Sequence, residues 1–202
     1  MTKGVETTFS AVSGSAFTIL ANHASKVTKA VSCRGSNMTT AQYFRVTVEI
    51  LHRTPCRLLL FGAGNDTELH VLANAGGRTL VLEHNPEWLQ RIEHLACQRL
   101  RVGYSTQIRT GLIDPCPLPD GDLEPVLREH WDVILVDGPE GYRDHHPGRQ
   151  QSIFLASRLA RPGTTIFVHD AERTVESLCA ARYLNPANER LGTDRQLAVF
   201  GC

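Results

Sequence analysis

Residues 57–66 read RLLLFGAGND, and this short stretch decides the fold class. After its leading arginine the run is apolar up to Phe61, which is typical of a strand covered on both faces of a sheet. Gly62 and Gly64 then let the backbone turn tightly and approach a ligand without a side chain in the way. A helix predicted over about 66–75 follows, and Gly76-Gly77 ends it. Strand, glycine turn and helix in this order indicate a nucleotide-type α/β protein.

The alternation of strands and helices continues through the rest of the chain. Further strands are predicted at 79–82, 102–108, 133–136, 164–168 and 196–200, and helices at 38–52, 86–97, 147–159 and 175–180. This alternation predicts a mainly parallel, doubly wound sheet with helices on both faces. In such a sheet ligands bind outside the carboxyl ends of the strands, so the residues that follow each strand are the candidate site.

Composition indicates one globular domain of an ordinary kind. The 202 residues carry a formal net charge of zero, which gives no support for nucleic acid or an anionic membrane as a partner. The six cysteines include no C-x-x-C pair, so neither a zinc site nor a disulfide framework is predicted. No apolar run reaches the ~20 residues that cross a bilayer, and no signal peptide is evident. We therefore predict a cytoplasmic protein; the oligomeric state is not indicated.

The chain divides into an extension and a domain. Residues 1–38 are rich in serine, threonine, alanine and glycine, with a weak helical spacing of apolar positions. They form a possible lid over the site. Residues 39–202 carry the α/β pattern and form the predicted binding domain.

The residues around the glycine turn favour a zwitterionic cofactor over a dinucleotide. Glu83 ends the second strand, where a carboxylate accepts hydrogen bonds from ribose hydroxyls. Thr67 stands where the dinucleotide fingerprint requires glycine or alanine, and Asp66 is unsuited to a pyrophosphate. We therefore predict S-adenosylmethionine rather than NAD, bound by Phe61, Gly62, Ala63, Gly64, Asn65, Asp66, Glu83, Asp137, Gly138 and Tyr142.

Two later strands end in groups suited to acid–base chemistry. Residues 131–149 read WDVILVDGPEGYRDHHPGR, so a buried strand ends at Asp137; His169 and Asp170 end the next strand. His169 is the predicted proton acceptor because imidazole titrates near neutrality. Asp137 and Asp170 are predicted to orient it or to act as the base themselves. They could instead hold a divalent cation, and Asp170 could simply cap the next helix.

The loop between these strands offers further candidates. His145 is predicted to contact the second substrate. Arg149 is predicted to do the same, because a cation in the first turn of a helix opposes the helix dipole and so suggests a functional role.

Several of these motifs together resemble the plant glucuronoxylan 4-O-methyltransferase family. The likeness runs from about residue 38 to 183 and is carried by FGAGND at 61–66, GGRT at 76–79, WDVILVDGPEGY at 131–142, PGR at 147–149 and FVHD at 167–170. The resemblance implies a Rossmann-like class I methyltransferase fold, with a mainly parallel seven-stranded sheet and an antiparallel last strand. It also implies that Gly62, Gly64 and Glu83 hold S-adenosylmethionine, and that Asp137 to Tyr142 border the transferred methyl group.

Three functions follow from these observations. The first is an O-methyltransferase acting on a hydroxyl or carboxyl of a small molecule or sugar. The second is a cyclase or lyase that consumes S-adenosylmethionine without methyl transfer and releases methylthioadenosine. The third is a non-catalytic module that only binds S-adenosylmethionine.

Overall fold

The computed structural model describes residues 38–114, 116–118, 122–184 and 186–202. Its helices are α1 (Thr40–Arg53), α2 (Thr67–Ala73), α3 (Pro86–Arg91), α4 (Glu124–Leu127), α5 (Gln150–Leu159) and α6 (Thr174–Tyr183), with a 3₁₀ turn at Ile108–Thr110. Its strands are β1 (Arg57–Phe61), β2 (Arg78–Glu83), β3 (Gln98–Arg101), β4 (Val133–Val136), β5 (Thr165–Val168), β6 (Glu189–Leu191) and β7 (Leu197–Gly201). The predicted extension at 1–38 lies outside the described residues, apart from Met38. Within the described ranges no helix has the length and apolarity needed to cross a membrane.

The seven strands form a single sheet in the order β3-β2-β1-β4-β5-β7-β6. The first five strands in this order pair in parallel. Strand β7 runs antiparallel to β5, and β6 runs antiparallel to β7. The predicted seven-stranded, mainly parallel sheet with an antiparallel last strand is therefore confirmed. Because β1 and β4 are parallel neighbours at the centre of the sheet, the turns that follow their carboxyl ends lie next to each other at the same edge of the sheet.

Apolar side chains cover both faces of the sheet. Side chains alternate along a strand, so Leu59 and Phe61 of β1 point to one face and Leu58 and Leu60 to the other. Helices α5 and α6 pack on the first face, and α1 and α2 on the second. A strand buried on both faces reads as a continuous apolar run, which is why β1 and β4 were recognisable from sequence.

The sequence prediction was wrong at the two edges of the sheet. The third strand is Gln98–Arg101 and not 102–108, and the preceding helix ends at Arg91 rather than near 97. At an edge, only one side of a strand is paired, and three of the four β3 side chains are exposed. The segment therefore lacks the apolar run used to find strands. Strand β6, three residues long at the opposite edge, was missed for the same reason.

Helix α1 is fixed at its start and along its buried face. Thr39 and Gln42 form a capping box, in which each side chain bonds the other's backbone amide. The Gln42 amide also donates to the carbonyls of Leu191 and Arg195, at 3.0 and 2.7 Å. These bonds tie the helix to the β6–β7 hairpin. The next residue, Tyr43, is buried and reaches the carboxyl end of β1.

Candidate active site

A cleft of about 450 Å³ lies at the carboxyl ends of β1, β2 and β4. The turn after β1, the residues after β2 and the loop after β4 form most of its wall. Of the residues predicted from sequence, those that line it are Gly62, Ala63, Gly64, Asn65, Asp66, Glu83, Asp137, Gly138, Tyr142, Arg149 and Asp170. The structure thus brings together most of the predicted site from four separate segments, at the ends of β1, β2, β4 and β5.

Three predicted site residues do not line this cleft. Phe61 is fully buried and packs in the core between the sheet and α5. Its place in the sequence motif coincides with the end of β1, and its contact with a ligand stays a prediction. His145 is exposed, and its ring packs against the ring of His146. His169 is fully buried behind Asp137.

Two glycines form the floor of the cleft. Gly62 has a φ of +97°, and a Cβ built on it would lie 2.8 Å from the Cα of Gly138. A Cβ on Gly138 would lie 2.6 Å from the Cα of Gly62. Because β1 and β4 are adjacent, the two turns that follow them touch backbone to backbone. Only glycine fits at either position, so a ligand here meets bare main chain.

The Glu83 carboxylate is held rigidly at the end of β2. Its Oε2 accepts a hydrogen bond from the Ala63 amide at 2.6 Å, and its Oε1 accepts from the Asn85 amide at 2.7 Å. Hydrogen bonds to a charged acceptor are stronger than neutral ones. The side chain is buried, yet it forms part of the cleft wall. Oε1 also accepts from the His84 amide at 2.7 Å, so the acceptor site left for a ligand hydroxyl is the second one of Oε2.

An ion pair connects the loops after β2 and β4. His84 Nε2 lies 3.4 Å from Glu140 Oε2, and His84 Nδ1 lies 2.9 Å from Glu83 Oε1. Hydrogen bonds to Glu140 and Glu83 raise the pKa of His84 to about 9. The hydrogen bond from His84 in turn lowers the pKa of Glu140 to about 2. At neutral pH His84 is therefore a cation between two carboxylates in the cleft wall.

This raised pKa predicts a stability difference that depends on pH. His84 binds its proton more tightly in the folded state, so the extra stability is complete below pH 6.5 and is lost as the pH rises to about 9. At pH 6 we expect the free energy of unfolding of the wild type to exceed that of His84→Gln by about 1 kcal/mol. The difference is no larger because the His84 side chain is 28% exposed and so is partly screened by solvent. Urea unfolding between pH 6 and 9.5 measures the gap. The difference between wild type and His84→Gln should shrink with rising pH, whereas the difference between wild type and the control His94→Gln, at an exposed site, should stay constant. A difference that stays constant for both variants would contradict the prediction.

Asp137 faces the cleft, and His169 supports it from behind. The Asp137 side chain is 19% exposed, and its Oδ1 lies 2.8 Å from His169 Nδ1. An ionised carboxylate can only accept, so the imidazole donates from Nδ1. His169 Nε2 is buried and has no hydrogen-bond partner. The histidine was predicted from sequence to take the acceptor's proton, but its ring has no surface in the cleft. The ring instead contacts the Asp137 carboxylate from behind, and the catalytic role of His169 stays a prediction.

Arg149 is engaged with the ends of two strands. Its Nη2 lies 3.0 Å from Asp137 Oδ1 and 2.8 Å from Asp170 Oδ2. The guanidinium also donates to the backbone carbonyls of His169 and Asp137. Sequence reasoning placed Arg149 on the second substrate, yet its side chain is almost entirely buried. The carboxylates that it binds explain how a cation is tolerated at the start of α5.

Asp170 completes this group of charges. Its Oδ2 also lies 2.9 Å from Arg173 Nη2, and its backbone has a φ of 57°. Possible ligand atoms of Asp137, His169 and Asp170 lie within 4.8 Å of one another, a set that a metal ion could use. Arg149 Nη2 already bonds both carboxylates, so an ion on the same oxygens would have to displace it. A divalent cation held by Asp137 and Asp170 therefore stays a prediction.

The structure adds cleft residues that sequence reasoning missed, namely Tyr43, His70, His84, Trp88 and Arg173. Two had a local signal. His84 directly follows the predicted acid Glu83, and Arg173 follows Asp170 at the spacing of an ion pair. Tyr43 had none, because it reaches the cleft only through the packing of α1.

The strand order and the position of the cleft define the class I methyltransferase fold. A crystal structure of an O-methyltransferase from Bacillus cereus in complex with SAH superposes with a TM-score of 0.53 at 14% identity, covering 96% of this chain and 93% of that one. A cofactor-bound structure of Rv0187 from MTB gives 0.51 at 17% identity, covering 91% and 89%. Both confirm the predicted fold class.

The chain belongs to the IRX15/IRX15L/GXM family, whose model matches residues 42–114 and 110–200. It is 33% identical to glucuronoxylan 4-O-methyltransferase 2 of Arabidopsis thaliana over 158 residues, which are 65% of this chain and 54% of that protein. Over 160 residues it is 36% identical to Protein IRX15-LIKE of the same plant, covering 64% and 50%. Over 162 residues it is 32% identical to arabinogalactan O-methyltransferase 2, covering 65% and 56%. The chain thus spans about half the length of these relatives, and the predicted family is confirmed.

Proposed function

We propose that this protein is an S-adenosylmethionine-dependent O-methyltransferase that methylates a hydroxyl group of a sugar. The observation that carries the proposal is the arrangement of the cleft around its glycine floor, with Glu83, Asp66 and Asp137 in its wall. The names of its relatives, which are methyltransferases of glucuronoxylan and arabinogalactan, support a sugar acceptor. The class I methyltransferase fold supports the cofactor.

The residues present fit S-adenosylmethionine. Glu83 offers a rigid carboxylate, with an acceptor site left on Oε2, for a ribose hydroxyl. The bare backbone at Gly62 and Gly138 allows the ligand to lie close to the sheet. Asp66, beside the glycine turn, offers a negative charge for the ammonium group of the amino-acid tail. When bound, the cofactor supplies a methyl group on a sulfonium sulfur, which leaves as a neutral thioether when the acceptor attacks the methyl carbon. The protein therefore needs no nucleophile of its own.

The protein's task is then to place the acceptor hydroxyl and to take its proton. Asp137 is the acidic group that best suits both. His169 and Arg149 contact its Oδ1, at 2.8 and 3.0 Å, and so fix the carboxylate in one orientation. Its Oδ2 would meet the hydroxyl of the acceptor. His169 and Arg149 would act through Asp137 without touching the substrate.

An exposed aromatic ring at the cleft rim supports a sugar as the acceptor. Tyr142 lines the cleft and is 68% exposed. Its ring packs at right angles on His146 with centroids 4.3 Å apart, and the Arg143 guanidinium carbon lies 5.7 Å from its centroid. These contacts hold the ring in place while most of it stays open to solvent. Such a flat apolar surface suits the face of a sugar ring.

The test is a product assay with the purified chain. Labelled S-adenosylmethionine would be incubated with oligosaccharides of glucuronoxylan, oligosaccharides of arabinogalactan, and small phenols and carboxylic acids. We expect S-adenosylhomocysteine and a methylated product only with an oligosaccharide. Release of methylthioadenosine without an acceptor would replace the proposal with the cyclase or lyase reaction. Tight binding of S-adenosylhomocysteine with no turnover in any mixture would favour the binding module.

A further inference from the structure

Three side chains from different elements meet at one side of the cleft. Tyr43 comes from α1, Asp66 from the turn after β1, and His70 from one turn further along in α2. The Tyr43 hydroxyl donates to Asp66 Oδ2 at 3.0 Å, and His70 Nε2 lies 3.8 Å from the same oxygen. The two rings lie 6.2 Å apart, and all three residues line the cleft. Both rings therefore approach the same oxygen of one carboxylate.

The tyrosine is held by the fold rather than by the cleft. It is buried on the inner face of α1, and the bonds of Gln42 to the β6–β7 hairpin fix that helix. A hydroxyl presented by a rigid helix holds its acceptor in one place. It does so at little entropic cost when a ligand binds, because the side chain is already ordered.

The histidine is the second observation that points to a ligand. His70 is almost fully buried, yet neither of its ring nitrogens has a hydrogen-bond partner. Buried polar groups in native proteins are normally paired, and an exception needs a reason. The His70 ring, whose Nε2 has only the 3.8 Å contact with Asp66 described above, lies in the wall of the cleft, where a polar ligand can reach it.

The environment also favours the ionised form of Asp66. Burial alone would raise the pKa of this carboxyl, but the neighbouring His70 and Tyr43 side chains outweigh it and hold the pKa below its ordinary value. Its other oxygen, Oδ1, lies against the glycine turn, where a Cβ on Gly64 would be only 2.7 Å away. One carboxylate oxygen is thus braced from behind, and the other lies at the turn.

We propose that Tyr43 and His70 are positioning residues that orient Asp66 to bind the ammonium group of an α-amino acid tail. This inference rests on the proposed cofactor, S-adenosylmethionine, and assigns which residues read its amino-acid end. It makes α1 part of the cofactor site, although the helix precedes the glycine turn in sequence.

Two ligands that differ only in the amino-acid end test this inference. S-adenosylhomocysteine carries the tail, and methylthioadenosine has the same adenosine and sulfur without it. Calorimetric titration of both into the full chain would compare wild type, Tyr43→Phe and His70→Gln. We expect both substitutions to lower the affinity for S-adenosylhomocysteine, by about tenfold for Tyr43→Phe, which removes a hydrogen bond to a charged group. The affinity for methylthioadenosine should stay within about twofold of wild type.

The matched control is Tyr183→Phe. It also removes a hydrogen bond between a tyrosine and an aspartate, here Asp114, but at residues that do not line the cleft. It should change neither affinity. In turnover, Tyr43→Phe should raise the KM for S-adenosylmethionine and leave kcat close to wild type, a split that a general loss of folded protein does not produce.

The possible failures are distinguishable. If wild type binds neither ligand, the proposed cofactor is wrong. If wild type binds S-adenosylhomocysteine and both variants bind it equally well, the cofactor stands and the positioning role is wrong. If the variants lower the affinity for both ligands by the same factor, the two side chains stabilise the cleft as a whole and do not act on the amino-acid tail. The inference is then also overturned.

Discussion

Asp137→Asn is expected to lower kcat by about two to three orders of magnitude while the affinity for S-adenosylhomocysteine stays within about threefold. The substitution keeps the shape of the side chain and removes its ability to take a proton, and general-base catalysis is worth roughly 10²–10⁴ in rate. Asp137 is the carboxylate at the end of β4 that is open to the cleft and braced by His169 and Arg149. Steady-state kinetics with the oligosaccharide acceptor, together with calorimetry, would measure the two quantities.

The control lies at the other end of the same strand. Asp132 precedes β4, and its Oδ2 accepts a hydrogen bond from the Arg57 amide at 2.7 Å. Asp132→Asn should therefore leave kcat unchanged. His169→Gln should lower kcat only about tenfold, because the histidine acts by holding Asp137. A larger loss for His169→Gln than for Asp137→Asn would restore the histidine as the proton acceptor and overturn this assignment.

The strands at the centre of the sheet could be predicted, whereas those at its edges could not. Strands β1 and β4 were predicted with their observed bounds because both faces of each strand are buried. Every residue of β1 after Arg57, and every residue of β4, is therefore apolar. Strand β3 has mostly exposed side chains and reads as a polar segment. A run of apolar residues indicates that a segment is buried. A strand at the edge of a sheet can pair with its neighbour while most of its side chains stay exposed, so it lacks such a run. The same limit explains why β6 was missed.

The candidate site divides in the same way. Gly62, Glu83 and Asp137 were predicted because each lies at the end of a recognisable strand, and the topology brings strand ends together without further information. Tyr43 reaches the cleft through the packing of α1, which no short motif encodes. The position of Arg149 was recognised as unusual from the helix dipole, but its partners were not, because Asp137 and Asp170 are distant in sequence.

Arg149→Met is expected to lower the free energy of unfolding by about 3 kcal/mol. The methionine keeps much of the apolar stem, so the main loss is the charge that lies between Asp137 and Asp170. Removing one member of a buried ion pair costs about 3–5 kcal/mol, because the other charge remains buried and uncompensated. We expect the lower end because Arg173 still pairs with Asp170, which is 2% exposed. Urea unfolding would measure the change, and Arg158→Met, an exposed site on the same helix, should stay within about 0.5 kcal/mol of wild type.

A second substitution separates charge compensation from packing. If the loss comes from the uncompensated carboxylate, Asp170→Asn should recover part of it in the Arg149→Met background, although it should destabilise the wild type. The two substitutions would then be non-additive, as expected for residues that share an ion pair. Additive losses would mean that Arg149 stabilises the fold mainly through its bonds to the carbonyls of His169 and Asp137. In that case Arg149→Met should also lower kcat, because the backbone at the ends of β4 and β5 would change shape. Asp170→Asn should not restore that kcat.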